Sequence, residues 1–167
     1  MEQRDHLQQL TIPQLLRWRV KNTGKKVALR EKDFGTWNSL TWDQYYDMVR
    51  KTGLGLEAIG VKKGDNIVLI GDNVPEMLFV AIGAQAMGAV SAAIYQTTMP
   101  EEIEQLVNYM KVKAVFCDDQ EQVDKLVEIR EKIPGVRRVI YEDPRGMRNY
   151  RSDKWFMDIK DLYLLGD

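Results

Sequence analysis

Residues 66–143 alternate short apolar segments with amphipathic ones, and this alternation limits the fold more than any other feature. The amphipathic segments place apolar residues at helical spacing, as Ile103, Leu106, Val107 and Met110 show. Strands that alternate with helices build a parallel sheet through right-handed crossovers. We therefore predict an α/β fold with a parallel sheet, helices on both faces and a flavodoxin-like outline. The predicted strands are NIVLIG (66–71), AVSAAIY (89–95), AVFCD (114–118) and RRVIYED (137–143).

A helix, a hairpin and a second helix are predicted before this unit. Thr11 and Gln14 have the spacing of a capping box, and so do Thr41 and Gln44. Each pair therefore marks the start of a helix, and the second helix is expected to end near Gly60. The strands of the hairpin are VALRE (27–31) and SLTW (39–42).

The chain of 167 residues is short enough to form a single domain over 1–167. Residues 11–143 are predicted to form its compact α/β core. Residues 144–158 mix proline, glycine and basic residues without periodicity, which indicates a connection. Residues 159–167 are expected to begin an element that is truncated.

The stretch 77–100 contains no charged residue and is long enough to cross a bilayer. Gly83 and Gly88 interrupt it, and its second half has the composition of a strand. We interpret it as a buried helix followed by a buried strand. The first ten residues contain acidic side chains and no apolar core, so we do not expect them to form a signal peptide.

The helix predicted over 75–88 has no polar face, because Gln85 is the one strongly polar residue after Glu76. A helix that covers one side of a sheet normally presents polar residues outward. An apolar surface of this size is unusual on a monomer. We therefore expect the remainder of the same polypeptide to pack on this helix, or a homodimer to form there.

The turn LIGDNVPEM (69–77) resembles a phosphate loop only superficially. Such loops need several glycines and usually a lysine, whereas this turn has Gly71 alone. Asp72 and Glu76 would also place carboxylates where a phosphate should lie. We predict instead that Asn73 caps a helix, with Glu76 completing a capping box and Pro75 in the first turn.

Three other segments resemble functional sites. In KNTGKK (21–26), Arg19 and Lys26 occupy positions where a P-loop requires glycine and Ser or Thr. Asp118 and Asp119 resemble the acidic corner of a receiver domain, with Asp72 as a possible third aspartate, but capping by Asp119 with Gln122 is favoured. The basic residues of the last segment are interpreted as a solvated loop: Arg145, Arg148, Arg151 and Lys154.

The chain offers few residues for catalysis or metal binding. His6 is the single histidine and Cys117 the single cysteine, so we predict no metal site, no histidine-based triad and no catalytic residue. The free cysteine favours a reducing compartment, and we expect a cytoplasmic protein. A net charge of −1 gives no field that would recruit nucleic acid.

Ligand contacts, if any, are expected at the carboxyl ends of the strands, where open α/β sheets bind their ligands. The alternative for part of this group is capping, because Thr98 and Glu101 have capping-box spacing with Pro100 in the first turn. The candidate residues are Asp72, Asn73, Tyr95, Gln96, Thr97 and Thr98.

Four segments in register resemble a known family. They are GTWNSLTWDQYYDMV, GVKKGDNIVLIGDNVPEM, AQAMGAVSAAIYQTTMPEEIEQLV and RVIYEDPRG. From about Thr11 onward, the chain resembles the N-terminal region of AMP-forming acyl-CoA synthetases of the adenylate-forming superfamily. Its TW…LTW-x-x-Y opening and its YQTTMPEEI segment (95–103) are most similar to the long-chain fatty-acid branch.

This resemblance implies a parent ligase that uses ATP and Mg²⁺ to form an acyl-adenylate and then transfers the acyl group to coenzyme A. The family's phosphate loop, adenine-binding segment, ribose-binding aspartate and catalytic lysine do not occur in this sequence. The 167-residue chain is therefore expected to be catalytically silent and to bind no cofactor alone. Peripheral membrane association of the parent stays open. The alternatives are a free-standing flavodoxin-like binding module and, less favoured, a receiver-like domain.

Overall fold

The computed structural model describes residues 7–167, with Asp33 described by its backbone alone. Two short 3₁₀ turns, Arg130–Lys132 and Met147–Asn149, accompany six helices and seven strands in this part of the chain. The helices are α1 (Ile12–Thr23), α2 (Trp42–Ala58), α3 (Pro75–Ala86), α4 (Pro100–Met110), α5 (Gln120–Glu128) and α6 (Ile159–Leu165). The strands are β1 (Val27–Asp33), β2 (Thr36–Thr41), β3 (Asn66–Ile70), β4 (Val90–Ile94), β5 (Ala114–Cys117), β6 (Arg138–Tyr141) and β7 (Phe156–Asp158).

Five parallel strands form the central sheet, in the order β4-β3-β5-β6-β7. Counted from β3 as the first strand, this is the 2-1-3-4-5 order of flavodoxin-like folds. The predicted α/β class and flavodoxin-like outline are therefore confirmed. β1 and β2 form a separate antiparallel hairpin.

Both faces of the sheet are covered by helices, because successive strand side chains point to opposite sides. Val68 and Ile70 of β3 pack with α4 and α5, whereas Ile67 and Leu69 pack with the α2, α3 and α6 layer. The predicted helices on both faces are thus present. Each face has its own apolar core.

The boundary of the core at Asp143 is wrong, because the segment expected to be a connection contains β7. Phe156 of β7 pairs with Val139 of β6, and the indole of Trp155 donates to the Val136 carbonyl oxygen at 2.9 Å. A strand of three residues is too short to show a period of two, so the sequence pattern did not reveal it.

Residues 159–165 form a packed helix, which the sequence left undecided. Leu162 of α6 is fully buried. A Cβ placed on Gly55 of α2 would lie 2.3 Å from the carbonyl oxygen of Leu162. The close approach of α6 to α2 therefore depends on glycine at position 55. The Arg50 guanidinium donates to the Gly166 carbonyl oxygen at 3.3 Å and holds the end of this segment.

Part of the second face of α3 is covered by α1 and α2, so residues outside this chain are not needed to bury Phe79. Phe79 is buried with Leu16, Tyr45 and Val49, and its ring lies 5.5 Å from that of Tyr45. The sequence pattern did not reveal this cover, because α1 and α2 are ordinary amphipathic helices whose apolar side chains could also have packed on the sheet. Whether further polypeptide also contacts α3 stays a prediction.

Proline position decided which helix caps were predicted correctly. The boxes at Thr11 and Thr41 are confirmed by Gln14 and Gln44, whose Oε1 atoms accept from the backbone N–H of each threonine at 2.9 Å. The predicted caps at Asn73 and Thr98 are wrong. Helices α3 and α4 begin at Pro75 and Pro100, so the N-cap residues are Val74 and Met99, without a side-chain cap. Proline prefers the first helical position and forces the preceding residue into extended conformation.

The charge-free stretch is a helix followed by a strand, as predicted. It contains most of α3, which is 12 residues long, and all of β4. No helix within residues 7–167 is long and apolar enough to cross a membrane.

Candidate functional site

The carboxyl edge of the sheet brings together the residues that follow β3, β4 and β5. β4 lies on one side of β3 and β5 on the other, so the chain reverses direction across the sheet between β3 and β5. Open α/β sheets bind ligands in the crevice at such a switch point. Gly71, Asp72 and Asn73 follow β3, and Asp118 follows β5 at this position.

Asp118 links the two strand ends across the switch point. The backbone N–H of Asp72 donates to Oδ2 of Asp118 at 2.6 Å, and the carboxyl group is buried. Gly71 has a φ of 147°, and a Cβ at this position would lie 2.2 Å from Cγ of Asp118. Glycine is therefore needed both for the backbone conformation and for the approach of the carboxylate.

The environment of Asp118 disfavours its charge. Burial raises the pKa of this carboxyl group, and the hydrogen bond from Asp72 N–H opposes the shift. Oδ1 of Asp118 is buried without a hydrogen-bond partner within the described residues. The sequence pattern does not reveal this hydrogen bond, because it depends on the neighbouring positions of β3 and β5 in the sheet.

The candidates after β4 lie on a separate loop of the same edge. Tyr95 is 85% exposed and Thr97 is exposed, whereas Gln96 and Thr98 are half-buried. Lys125 of α5 holds this loop, because its ammonium donates to the Gln96 carbonyl oxygen. Nothing in the sequence pattern connects Lys125 with position 96. No hydrogen bond within residues 7–167 joins this loop to Asp72 or Asn73.

The Lys125 ammonium is itself part of a small polar network. It also donates to Oε1 of Gln122 at 3.1 Å and pairs with Glu121 at 3.3 Å. Gln122 is buried, and its backbone N–H donates to Oδ1 of Asp119 at 3.1 Å. The predicted cap of α5 by Asp119 is therefore confirmed. The network fixes the start of α5 against the 95–98 loop.

Carboxylates dominate the electrostatics of this edge. Burial raises the pKa of Glu142, which follows β6, to about 7, and the neighbouring Glu76 carboxylate adds to the shift. Burial likewise raises the pKa of Glu76 in the first turn of α3. Tyr163 of α6 borders this group, and burial followed by the charges of Glu76 and Glu142 raises its pKa. Its hydroxyl group has no hydrogen-bond partner within the described residues.

This charge distribution opposes the binding of a phosphate at the carboxyl edge. The first turns of α3, α4 and α5 each carry glutamate, as Glu76, Glu101 and Glu121 show. Acidic side chains occupy the positive ends of these helix dipoles, where an anion would otherwise be stabilised. Residues 69–77 therefore do not form a phosphate-binding loop, because Glu76 occupies the helix N-terminus where a phosphate would bind.

The other sequence candidates add no site. The described residues contain no cluster of three or more side chains that could hold a metal ion, and His6 lies outside them. Arg145, Arg148, Arg151 and Lys154 are all exposed, as predicted for a solvated loop. The Nε–H group of Arg145 donates to Asp143 at 2.6 Å.

The fold and the position of its carboxyl edge define an open α/β domain of the doubly wound type. A family profile described as AMP-binding enzyme matches residues 16–160. The chain belongs to the AMP-binding enzyme family. The predicted resemblance to AMP-forming acyl-CoA synthetases is confirmed at this level.

Curated relatives include long-chain-fatty-acid–CoA ligases of mammals. The ligase ACSBG1 of Bos taurus is 28% identical over 139 residues, which are 83% of this chain and 19% of the relative. The same ligase of Homo sapiens is 28% identical over 139 residues, or 81% and 19% of the two chains. The chain thus spans about a fifth of the length of these relatives.

Solved structures with the same fold include ligases. Coronafacic acid ligase from Pectobacterium brasiliense superposes with a TM-score of 0.82 at 15% identity, over 93% of this chain and 29% of that one. The N-terminal domain of FACL13 from Mycobacterium tuberculosis superposes with a TM-score of 0.73 at 23% identity, over 79% and 33%. These similarities show that the fold is that of the N-terminal part of such enzymes.

Proposed function

We propose that the chain is the N-terminal structural part of an ATP-dependent ligase that activates a fatty acid as an acyl-adenylate and transfers it to coenzyme A. The observation that carries this proposal is the family match over residues 16–160, in a chain that spans only about a fifth of its ligase relatives. The match supports this function over a free-standing flavodoxin-like module. The long-chain branch is supported by the names of the curated relatives.

The described residues do not fit the phosphates of ATP or a magnesium ion. The carboxyl edge carries glutamates at the helix N-termini, and no metal-binding cluster occurs within residues 7–167. The groups that bind the triphosphate and the metal in the proposed reaction therefore belong to other parts of the ligase. The chain alone is expected to be catalytically silent and to hold no cofactor.

We propose two surfaces for the packing of the remaining ligase polypeptide. β4 pairs only with β3 within the described residues, and the backbone N–H of Val90 donates to the carbonyl oxygen of Asp65 on the β3 side. Because the backbone groups of successive strand residues point to opposite sides, the N–H and C=O groups of Ser91 and Ala93 point to the free edge. The β1–β2 hairpin is the second surface, since it exposes Trp37 and a two-stranded sheet is marginally stable in water.

Two further properties of the parent stay predictions. Peripheral membrane association would place this domain at a bilayer surface, and a homodimer would bury part of the exposed apolar surface. Neither changes the assignment of the catalytic groups to other polypeptide.

The test compares the complete reading frame of the gene with the 167-residue chain in a fatty-acyl-CoA synthesis assay. The substrates are palmitate, ATP, Mg²⁺ and coenzyme A, and acyl-CoA is detected by mass. We expect synthesis by the complete product and none by residues 1–167. A reading frame that ends at Asp167, or a complete product that forms neither adenylate nor thioester, would contradict the proposal.

A further inference from the structure

An apolar groove runs between α1 and the surface formed by α2 and α3, with a volume of about 460 Å³. We call it the α1 groove. Its walls combine apolar and aromatic side chains with one cation: Ile12, Leu15, Trp18, Arg19, Trp42 and Ile82. This volume lies within the range of small-molecule sites, roughly 300–1,000 Å³.

The groove remains open because α1 is anchored mainly by one side chain. Leu16 is the one residue of α1 that is buried, and it packs with Tyr45 and Phe79. Ile12 and Leu15, on the same helix, are 55% and 39% exposed. Large apolar side chains that line a concave surface and remain exposed together mark an interaction site more often than isolated ones.

Arg19 gives the groove its charge. Its guanidinium carbon lies 5.0 Å from the centre of the Trp42 ring, which holds the cation at the rim. Arg19 forms no ion pair with any residue that the structure describes. None of the described residues that line the groove carries a carboxylate. The groove therefore presents apolar walls and one unneutralised positive charge.

A second groove, on the other side of Leu16, lacks this charge pattern. It has a volume of about 380 Å³, and Arg50 and Glu57 both line it. Arg50 is already paired with Asp47 at 3.1 Å. An anion would thus meet a neutralised cation and a carboxylate there, so the two grooves serve as an internal comparison.

We propose that the α1 groove binds a small amphipathic anion, with an apolar body and a single carboxylate or sulfonate at Arg19. The apolar body packs against Ile12, Leu15 and Ile82. None of the groove residues belongs to the carboxyl edge, so this site is separate from the proposed ligase function and does not depend on it. Trp18 and Trp42 provide spectroscopic reporters in its walls.

The first test is a titration of the 167-residue chain with 8-anilinonaphthalene-1-sulfonate, an apolar anion, under native conditions. We expect saturable fluorescence enhancement that decanoate reverses and the neutral decanol reverses much less. In ¹H–¹⁵N spectra, the indole N–H signals of Trp18 and Trp42 should shift. The signal of Trp155, buried on the other face of the sheet, should not.

Matched variants distinguish recognition of the ligand's charge from nonspecific apolar binding. Arg19→Gln should weaken binding of the sulfonate by about three-fold or more, since it removes the one cation among the described residues that line the groove. Arg17→Gln, an exposed residue of the same helix outside the groove, should leave it unchanged. Ile12→Gln should also weaken binding, and because Ile12 is exposed this change should preserve the fold, which melting curves would verify.

Three results would overturn the proposal. Equal effects of the Arg19 and Arg17 variants would show that the cation is not recognised. Equal competition by decanol and decanoate would show that the site does not select anions. Sedimentation that reveals a dimer dissociated by Ile12→Glu would show that a second copy of the chain occupies the groove. None of these results bears on ligase activity.

Discussion

The crossing of α2 and α3 depends on two glycines, and substituting them tests how α3 is covered. A Cβ placed on Gly83 would lie 2.9 Å from the backbone N of Gly53, 3.0 Å from the carbonyl oxygen of Val49 and 3.2 Å from Cβ of Thr52. None of these atoms can move away by rotating a side chain. The variant Gly83→Ala therefore forces the two helices apart.

Two effects of opposite sign determine the size of the change. Overpacking of this kind costs about 1–3 kcal/mol, and the rigid neighbours place Gly83→Ala at the upper end. Alanine is better than glycine within a helix by about 1 kcal/mol. We therefore expect Gly83→Ala to lower the free energy of unfolding by about 2 kcal/mol.

Two further variants provide a graded comparison. A Cβ on Gly53 would meet the Gly83 carbonyl oxygen at 3.0 Å and its other neighbours only at 3.6 Å, so Gly53→Ala should cost less. A Cβ on Gly135 would lie 3.5 Å from its nearest neighbour, which is an ordinary contact. Gly135→Ala should change the stability by no more than about 1 kcal/mol, in the stabilising direction.

The assay is urea unfolding followed by circular dichroism, with the three variants and the unmodified chain measured together. The expected order of destabilisation is Gly83→Ala, then Gly53→Ala, then Gly135→Ala. If Gly83→Ala proved as stable as the unmodified chain, α2 would not pack directly on α3. The statement that this chain covers its own apolar helix would then be wrong.

Three further predictions concern the carboxyl edge and the helix caps. Gly71→Ala should destabilise the fold by about 2–3 kcal/mol, because it strains a positive φ and meets the carboxylate of Asp118; a loss below about 0.5 kcal/mol in urea unfolding would contradict the switch-point geometry. Glu142 has a pKa of about 7 against an ordinary value of 4.5, so the folded state holds its proton more tightly and its contribution to stability is lost as pH rises between these values. Glu142→Gln should flatten this dependence by about 1 kcal/mol after allowance for solvent screening, measured as the difference in unfolding free energy between pH 4.5 and 7.5; an unchanged slope would contradict the burial of this carboxyl group. Asn73→Ala should change stability by less than about 0.5 kcal/mol whereas Asp119→Ala costs about 1 kcal/mol, because only Asp119 caps a helix; equal losses would restore the sequence-based cap at Asn73.

Local sequence signals predicted the helices and strands whose ends are clearly marked in the sequence. Helix α4 begins at Pro100 and ends at Met110, as its apolar stripe and proline indicated. The short strands β3 and β5 were found because continuous apolar runs between helices have few other interpretations. Strand β7 was missed, because three residues carry no usable period and its strand character comes from pairing with β6.

Contacts between distant residues could not be predicted from local patterns. Cover of α3 comes from Leu16 and Tyr45, which precede the start of this helix by 30 residues or more. The link from Asp72 to Asp118 likewise spans 46 positions, and only the strand order brings the two together. The second of these contacts defines the switch point of the candidate site, so the organisation of that site emerged only in three dimensions.

The family resemblance extended what local patterns allowed. It indicated the superfamily from four segments in register, and the family profile confirms that assignment. The individual ligand candidates, Asp72, Asn73 and Tyr95 to Thr98, stay predictions.

The claim that this chain folds as a structural part without catalytic groups is tested most directly by fatty-acid-dependent exchange of pyrophosphate into ATP. The 167-residue chain is incubated with labelled pyrophosphate, ATP, Mg²⁺ and palmitate, beside an active ligase as a positive control. The account predicts no exchange above the enzyme-free background. Exchange that requires palmitate and grows with the concentration of the chain would contradict it.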